Sequence, residues 1–181
     1  MRPVVVTAIL LLVVLMSMSD SAAGNPAEMC KTKYPFTPCT KNVGEGWSQY
    51  TTNICVKAFF KTPHLSHSDA ENACQKFTNG HLVSIINGEQ MNQVQCAMYR
   101  ATPGKAHYWI GAYLKQVGRT RKWSWTDGSF GRYINWARGQ PDNFLFREGC
   151  VEMNYWDWGL WNDVNCNEKK PYVCEVYLND D

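Results

Sequence analysis

The fold of the second half of the chain depends on residues 108–129, which read YWIGAYLKQVGRTRKWSWTDGS. Aromatic and branched residues are common in strands, and glycines mark points where short strands end. The apolar spacing typical of helices does not continue beyond Gly104. We therefore predict short strands joined by long loops, at residues 108–114, 123–125, 150–154, 161 and 172–176.

Two helices, preceded by one or two strands, are predicted in the first half. Ser68 with Glu71 forms a capping pattern, and an apolar helical stripe follows it. Asn87 with Gln90 repeats that pattern ahead of a second stripe. Aromatic and branched residues between 47 and 60 predict one or two strands.

The N-terminal segment has the pattern of a secretory signal peptide at residues 1–23. Arg2 precedes an apolar run at residues 4–16, and small residues follow at 21–23. The run is shorter than the roughly 20 residues that cross a bilayer, and no later segment is long and apolar enough. We therefore expect a secreted, extracellular protein without membrane insertion. Residues 24–46 predict an irregular arm, and residues 47–178 fit one domain.

Charge and motifs exclude two functional classes. The formal net charge of +2 is spread along the chain, and the small basic clusters at residues 119–122 and 169–170 are typical of solvated loops. Nucleic-acid binding is not expected. The sequence contains no G-x-S-x-G, H-E-x-x-H or phosphate-binding glycine loop, so we do not expect an enzyme.

Eight cysteines behind a signal peptide predict disulfides formed in an oxidising compartment. Cys96 lies about 200° around the second helix from Val94, opposite the apolar stripe, and should face outward. Its partner is therefore expected from outside the core. Either Cys30 on the arm or a cysteine of a second chain would serve.

A loop of about 25 residues, from 127 to 149, is the place to look for a site, because loops this long are uncommon in compact domains unless they are functional. Six short motifs lie within and around this loop. In chain order they are Trp109-Ile110-Gly111, Trp123-x-Trp125-x-Asp127-Gly128-Ser129, Asn135-Trp136, Gln140-Pro141-Asp142-Asn143, Trp161-Asn162-Asp163 and Tyr172-Val173-Cys174-Glu175. Together they resemble the C-type lectin family over about residues 47–176. The resemblance implies an α+β fold in which two helices flank two small antiparallel sheets, with disulfides and a long calcium-binding loop region.

The resemblance also implies disulfide pairs. Cys74 would pair with Cys174, and Cys150 with Cys166. Long-form relatives add an N-terminal pair, in which Cys55 takes the second place and Cys39 is the nearest candidate for the first. Cys30 and Cys96 remain, and we favour a bond between them over an interchain bond.

One calcium ion is implied, and the ligands carried over from the family are Gln140, Asp142, Glu148, Asn162 and Asp163. Calcium takes six to eight oxygen ligands, and these residues offer carboxylate and amide oxygens. Pro141 stands where the family has a cis peptide bond, which X-Pro sequences adopt at modest cost. The alternative is that these are ordinary polar residues of turns.

Sugar binding would follow from the open coordination positions of such an ion. Asp142 and Glu148 would accept hydrogen bonds from two sugar hydroxyls, while the amides of Gln140 and Asn162 would donate to them. In the family the Gln-Pro-Asp triplet accompanies galactose, and Phe144 stands where an aromatic ring stacks on the sugar. Mannose stays open because the supporting glycine-rich loop is absent, and Phe144 could instead pack within its loop.

The main alternative function is a lectin-like domain that binds something other than a sugar, such as a protein, a mineral or ice, because fold does not settle function. A single shallow sugar site binds weakly, so several copies acting together, as in a homo-oligomer, are expected.

Overall fold

The computed structural model describes residues 26–178, so the predicted signal peptide lies outside the described residues. Within this range the helices are α1 (Ala27–Thr32), α2 (His67–Cys74) and α3 (Gly88–Ala101). The strands are β1 (Ser48–Thr51), β2 (Ile54–Phe59), β3 (Gly80–Leu82), β4 (Tyr108–Val117), β5 (Thr120–Trp125), β6 (Cys150–Met153), β7 (Trp161–Val164) and β8 (Tyr172–Tyr177). The predicted α+β class is confirmed.

The strands of the described range form one mixed sheet in the order β1-β2-β8-β4-β6-β7, with β3 also on β8 and β5 on β4. The two small antiparallel sheets that the resemblance implied form two halves of this one sheet. Trp109 of β4 lies parallel to Tyr172 of β8, and the Trp109 amide donates to the Pro171 carbonyl at 2.9 Å. This single parallel contact joins the two antiparallel halves.

The helices pack their apolar stripes against the sheet. Val94 and Met98 of α3 are fully buried, and the Asn87 side chain caps the helix by accepting from the Gln90 amide at 2.8 Å. The first predicted cap was wrong, because α2 begins at His67 and its cap is Ser66. The carboxylate of Glu71 instead accepts from the Leu82 amide, which holds β3 against the helix.

The N-terminal arm was predicted to be irregular, but it contains helix α1. The sequence did not indicate this helix because it is too short to show a helical period. It packs on α3, and Cys30 is bonded to Cys96 with Cα atoms 5.2 Å apart. Cys96 does lie away from the core stripe, yet it is fully buried rather than facing solvent, because the arm covers it. Arg100 of α3 donates to the backbone carbonyl of Tyr34 at 2.9 Å, which adds a polar tie.

Three further disulfides each join a strand to a neighbouring loop or helix: Cys39–Cys55, Cys74–Cys174 and Cys150–Cys166. The described residues include no free cysteine. The bond between Cys150 and Cys166 joins the start of β6 to the loop after β7. In the sequence, one group of candidate calcium ligands comes before Cys150 and the other group comes before Cys166. No helix within residues 26–178 has the length and apolar character needed to span a bilayer.

One buried acid, Glu175, lies in β8. Glu175 is fully buried, and its carboxyl accepts from the Ser84 amide at 3.1 Å. Burial raises the pKa of this carboxyl well above its ordinary value, and the negative charge of Asp127 adds to the effect. The fold therefore favours the protonated form of Glu175 more than an exposed glutamate would.

Candidate functional site

Three carboxylates from separate stretches of the chain meet at one end of the sheet. Asp142 and Glu148 lie in the long loop, and Asp163 lies on β7. One carboxylate oxygen from each lies within 4.8 Å of the others. Asp142 is exposed, Glu148 is half-buried and Asp163 is buried. The cluster therefore has one open side and one side built on the sheet.

Asp163 anchors the loop to the sheet. Its side chain is fully buried, and its two oxygens accept from the backbone amides of Asp142 at 3.0 Å and Asn143 at 2.8 Å. Strand β7 holds Asp163 in register opposite Val151 of β6. A rigid strand thus fixes the part of the loop that carries Asp142.

Glu148 closes the loop from its other end. Its carboxylate accepts from the Phe144 amide at 2.8 Å, and its own amide donates to the Asn143 side chain at 3.3 Å. Burial raises the pKa of the Glu148 carboxyl above its ordinary value, and the charges of Asp163 and Asp142 raise it further, although the bond from Phe144 opposes them. The raised pKa therefore reflects burial first and the nearby like charges second.

Within the part of the chain that the structure describes, no basic side chain forms an ion pair with this cluster. Among residues 26–178 no salt bridge involves Asp142, Glu148 or Asp163. Like charges held this close without a counterion repel one another, and a bound cation would relieve the repulsion. Three carboxylates are the donors that hard divalent cations prefer, so these residues fit a calcium ion.

Gln140 and Pro141 lie at the entrance to the cluster. The peptide bond between them is cis, the geometry that the sequence resemblance implied for Pro141. The Gln140 side-chain oxygen accepts from the Asp142 amide at 3.1 Å. Gln140 thus lies beside the carboxylates, on the solvent side of the loop.

Asn162 is placed next to Asp163 but has a partner that the sequence did not suggest. Its amide nitrogen donates to Glu152 of β6 at 3.0 Å, and the two residues lie opposite each other in the sheet. Glu152 is in turn held by Lys170 at 2.7 Å and His107 at 3.2 Å. Burial would raise the pKa of the Glu152 carboxyl, but these two partners hold it below its ordinary value. Glu152 therefore positions Asn162.

Glu152 was missed because its role depends on strand register. A detectable signal existed, since it is the one charged residue in the otherwise apolar strand 150–153. Charged side chains are rarely buried without partners, so an acid at that position indicates a polar network.

The loop presents apolar side chains beside the carboxylates. Phe144, Leu145 and Phe146 form a 3-10 turn, and their exposed fractions are 63%, 63% and 87%. Asn143, Leu145 and Phe146 have φ angles of 46°, 53° and 57°, in the left-handed region. One alternative from the sequence was that Phe144 packs within its loop. Its side chain is instead exposed, so its ring is open to a ligand.

The sequence matches that of known proteins over most of the domain. The family described as "Lectin C-type domain" matches residues 64–176. The C-type isolectin Sp-CL4 of Scorpaena plumieri is 34% identical over 155 residues, which cover 86% of this chain and 99% of that protein. A "C-type lectin galactose-binding isoform" of Pseudechis porphyriacus is 34% identical over 125 residues, covering 67% and 76%.

Solved structures show the same fold. The C-type lectin CEL-I from Cucumaria echinata has a TM-score of 0.67 at 26% identity and covers 77% of this chain and all of that one. The type II antifreeze protein of herring has a TM-score of 0.63 at 27% identity, covering 75% of this chain and 98% of that one. The chain belongs to the C-type lectin domain family. Members of this family are binding proteins, and no family of enzymes is indicated.

Proposed function

We propose that this protein is a secreted, calcium-dependent lectin that binds galactose-type sugars through Gln140, Asp142, Glu148, Asn162 and Asp163. The observation that carries the proposal is the convergence of three carboxylates with no basic partner in the described chain. The four disulfides support secretion, because such bonds persist in oxidising compartments. The predicted signal peptide at residues 1–23 agrees with this.

Calcium binding would depend on the negative charge of the site and on a loop that is already held in place. Asp142, Glu148 and Asp163 bring three negative charges, and the amide oxygens of Gln140 and Asn162 complete a hard donor set. Asp163 already holds the loop by two backbone hydrogen bonds, so binding orders few additional groups. A calcium ion would supply the positive charge that holds sugar hydroxyls at the open side.

The sugar step uses the remaining capacity of the same side chains. Each hydroxyl of a vicinal pair needs a carboxylate acceptor and an amide donor. Asp142 and Glu148 are the acceptors. Gln140 donates freely from its NH2 group, whereas Asn162 has one NH2 hydrogen directed at Glu152 and donates with the other. Every polar group at the site then finds a partner.

The preference for galactose rests on two features. The Gln140-Pro141-Asp142 triplet places the amide first and the carboxylate second, which is the order found with galactose in the family. The exposed ring of Phe144 offers an apolar face for the sugar, and such a contact contributes about 1 kcal/mol by analogy with aromatic pairs. A relative from Pseudechis porphyriacus named as galactose-binding supports the same choice.

A retention experiment tests the proposal. The folded, oxidised protein should bind galactose–agarose in calcium and elute with EDTA. Asp142→Asn should abolish retention, while Glu45→Gln, which removes an exposed carboxylate elsewhere, should leave it unchanged. Retention that survives EDTA, or that the Asp142 variant keeps, would contradict the proposal. A homo-oligomer, proposed because single sites bind weakly, should show as a larger mass in size-exclusion chromatography.

The second candidate is a non-sugar ligand on the same scaffold. The hydrogen bond between Asn162 and Glu152 favours it, because that bond occupies part of a proposed sugar donor. The herring antifreeze protein shares the fold, so the scaffold alone does not select a sugar. Saturable calcium binding without retention on galactose or mannose would support this candidate.

A further inference from the structure

A second concavity lies between the β4–β5 hairpin and the first part of the long loop. Its volume is about 330 Å³, which is within the range of small-molecule sites. Trp123, Trp125, Tyr133 and Trp136 contribute aromatic rings to its walls. None of the carboxylates Asp142, Glu148 and Asp163 lines it, so it is separate from the candidate calcium site.

Apolar side chains surround this cavity and remain open to solvent. Val117, Phe130 and Ile134 all line it, and their exposed fractions are 47%, 87% and 65%. Exposed apolar groups gathered around a concavity are typical of a binding site, whereas scattered ones need no explanation. The cavity therefore offers an apolar ligand a surface that folding alone leaves uncovered.

The same cavity carries two positive charges. Lys115 and Lys122 both line it, and they lie directly opposite each other on neighbouring strands. Like charges in this arrangement destabilise a strand pair. No acidic residue occurs between residues 108 and 126, and neither lysine forms an ion pair within the described residues. An anion between them would remove the repulsion.

We propose that this cavity binds a small amphipathic anion, an aromatic or aliphatic group that carries a sulfate, sulfonate or carboxylate. The apolar part lies against the tryptophans, and the anionic group lies between Lys115 and Lys122. This inference does not depend on the calcium site, where an anion of this kind would be repelled by the carboxylates. Binding is therefore independent of both calcium and galactose.

Naphthalene-2-sulfonate is a suitable probe, with the neutral naphthalene-2-sulfonamide as its uncharged counterpart. Titration followed by tryptophan fluorescence and calorimetry, in EDTA, should show saturable binding of the sulfonate at one site per chain. The sulfonamide should bind roughly tenfold more weakly, because it lacks the contact with the two ammonium groups. Absence of saturable sulfonate binding, or equal affinity for the two probes, overturns the proposal.

Variants locate the site. Lys115→Gln with Lys122→Gln should weaken the sulfonate roughly tenfold and leave the sulfonamide unchanged. Lys31→Gln with Lys61→Gln removes the same total charge from exposed positions that do not line the cavity, and should have no effect. Phe130→Ala with Ile134→Ala changes exposed side chains and should weaken both probes. If the two lysine pairs behave alike, the cavity is not the binding site.

Discussion

Replacing Asp163 by asparagine, with stability measured in EDTA, tests its structural role apart from its role as a metal ligand. The buried carboxylate of Asp163 accepts two backbone hydrogen bonds, from Asp142 and Asn143. Asparagine keeps one acceptor and turns an NH2 group toward the other amide. We therefore expect Asp163→Asn to loosen the loop even in EDTA, and to weaken calcium binding as well.

The magnitude follows from these contacts. A hydrogen bond to a charged group contributes about 1.5 to 3 kcal/mol. Removing one of three neighbouring negative charges offsets roughly 1 kcal/mol of this. The net free energy of unfolding in EDTA should fall by about 0.5 to 2 kcal/mol, which for a domain of this size lowers Tm by about 1 to 8 °C.

Glu148→Gln is the matched control, because it removes the same charge. Glutamine can still accept from the Phe144 amide, so Tm in EDTA should be unchanged or slightly higher. Calorimetric titration should show calcium affinity reduced by at least about tenfold in both variants. Equal Tm values for wild type and Asp163→Asn in EDTA, or an equal loss in Glu148→Gln, would refute the anchoring role of Asp163.

Three further outcomes are expected. Gln140→Glu combined with Asp142→Asn should retain calcium but move preference from galactose to mannose on affinity columns, and unchanged galactose selectivity would contradict the assigned roles. Phe144→Ala should weaken galactose about fivefold in calorimetry while calcium affinity stays the same, and an unaltered galactose affinity would argue against stacking. The pKa of Glu175 is raised in the folded protein, so folding retains a proton that the unfolded chain releases above a pH of about 4.3. Wild-type stability should therefore fall as pH rises above that point, by at most about 1.4 kcal/mol per pH unit. Glu175→Gln should remove that dependence in urea unfolding at pH 5 and pH 8, and equal slopes for the two proteins would count against a protonated Glu175.

The parts of the fold that the sequence predicted are those with local signals. Asn87 and the stripe through Val94 and Met98 indicate helix α3 because capping and a helical period act within one segment. Helix α1 has a single turn and a half, too few residues for a period to appear. Ser66 was overlooked in favour of Ser68 because both residues fit a cap pattern and only tertiary packing selects between them.

In the candidate site, too, features with a local sequence signal could be predicted and features that depend on tertiary structure could not. Proximity of Asp142, Glu148 and Asp163 was expected only by resemblance to a family, since residues some 20 apart carry no local signal of contact. The hydrogen bonds from the loop to Asp163 and from Asn162 to Glu152 depend on the register of β6 against β7, which periodicity does not define. The parallel contact of Trp109 with Tyr172 is likewise a tertiary feature.

Calcium titration of the metal-free, fully oxidised protein is the most direct measurement of the central claim. Calorimetry should show saturable binding of one ion per chain, and Glu148→Gln should weaken that binding by at least about tenfold. Heat that never saturates, or saturation that the Glu148 variant shares with wild type, would mean that the three converging carboxylates do not form a calcium site.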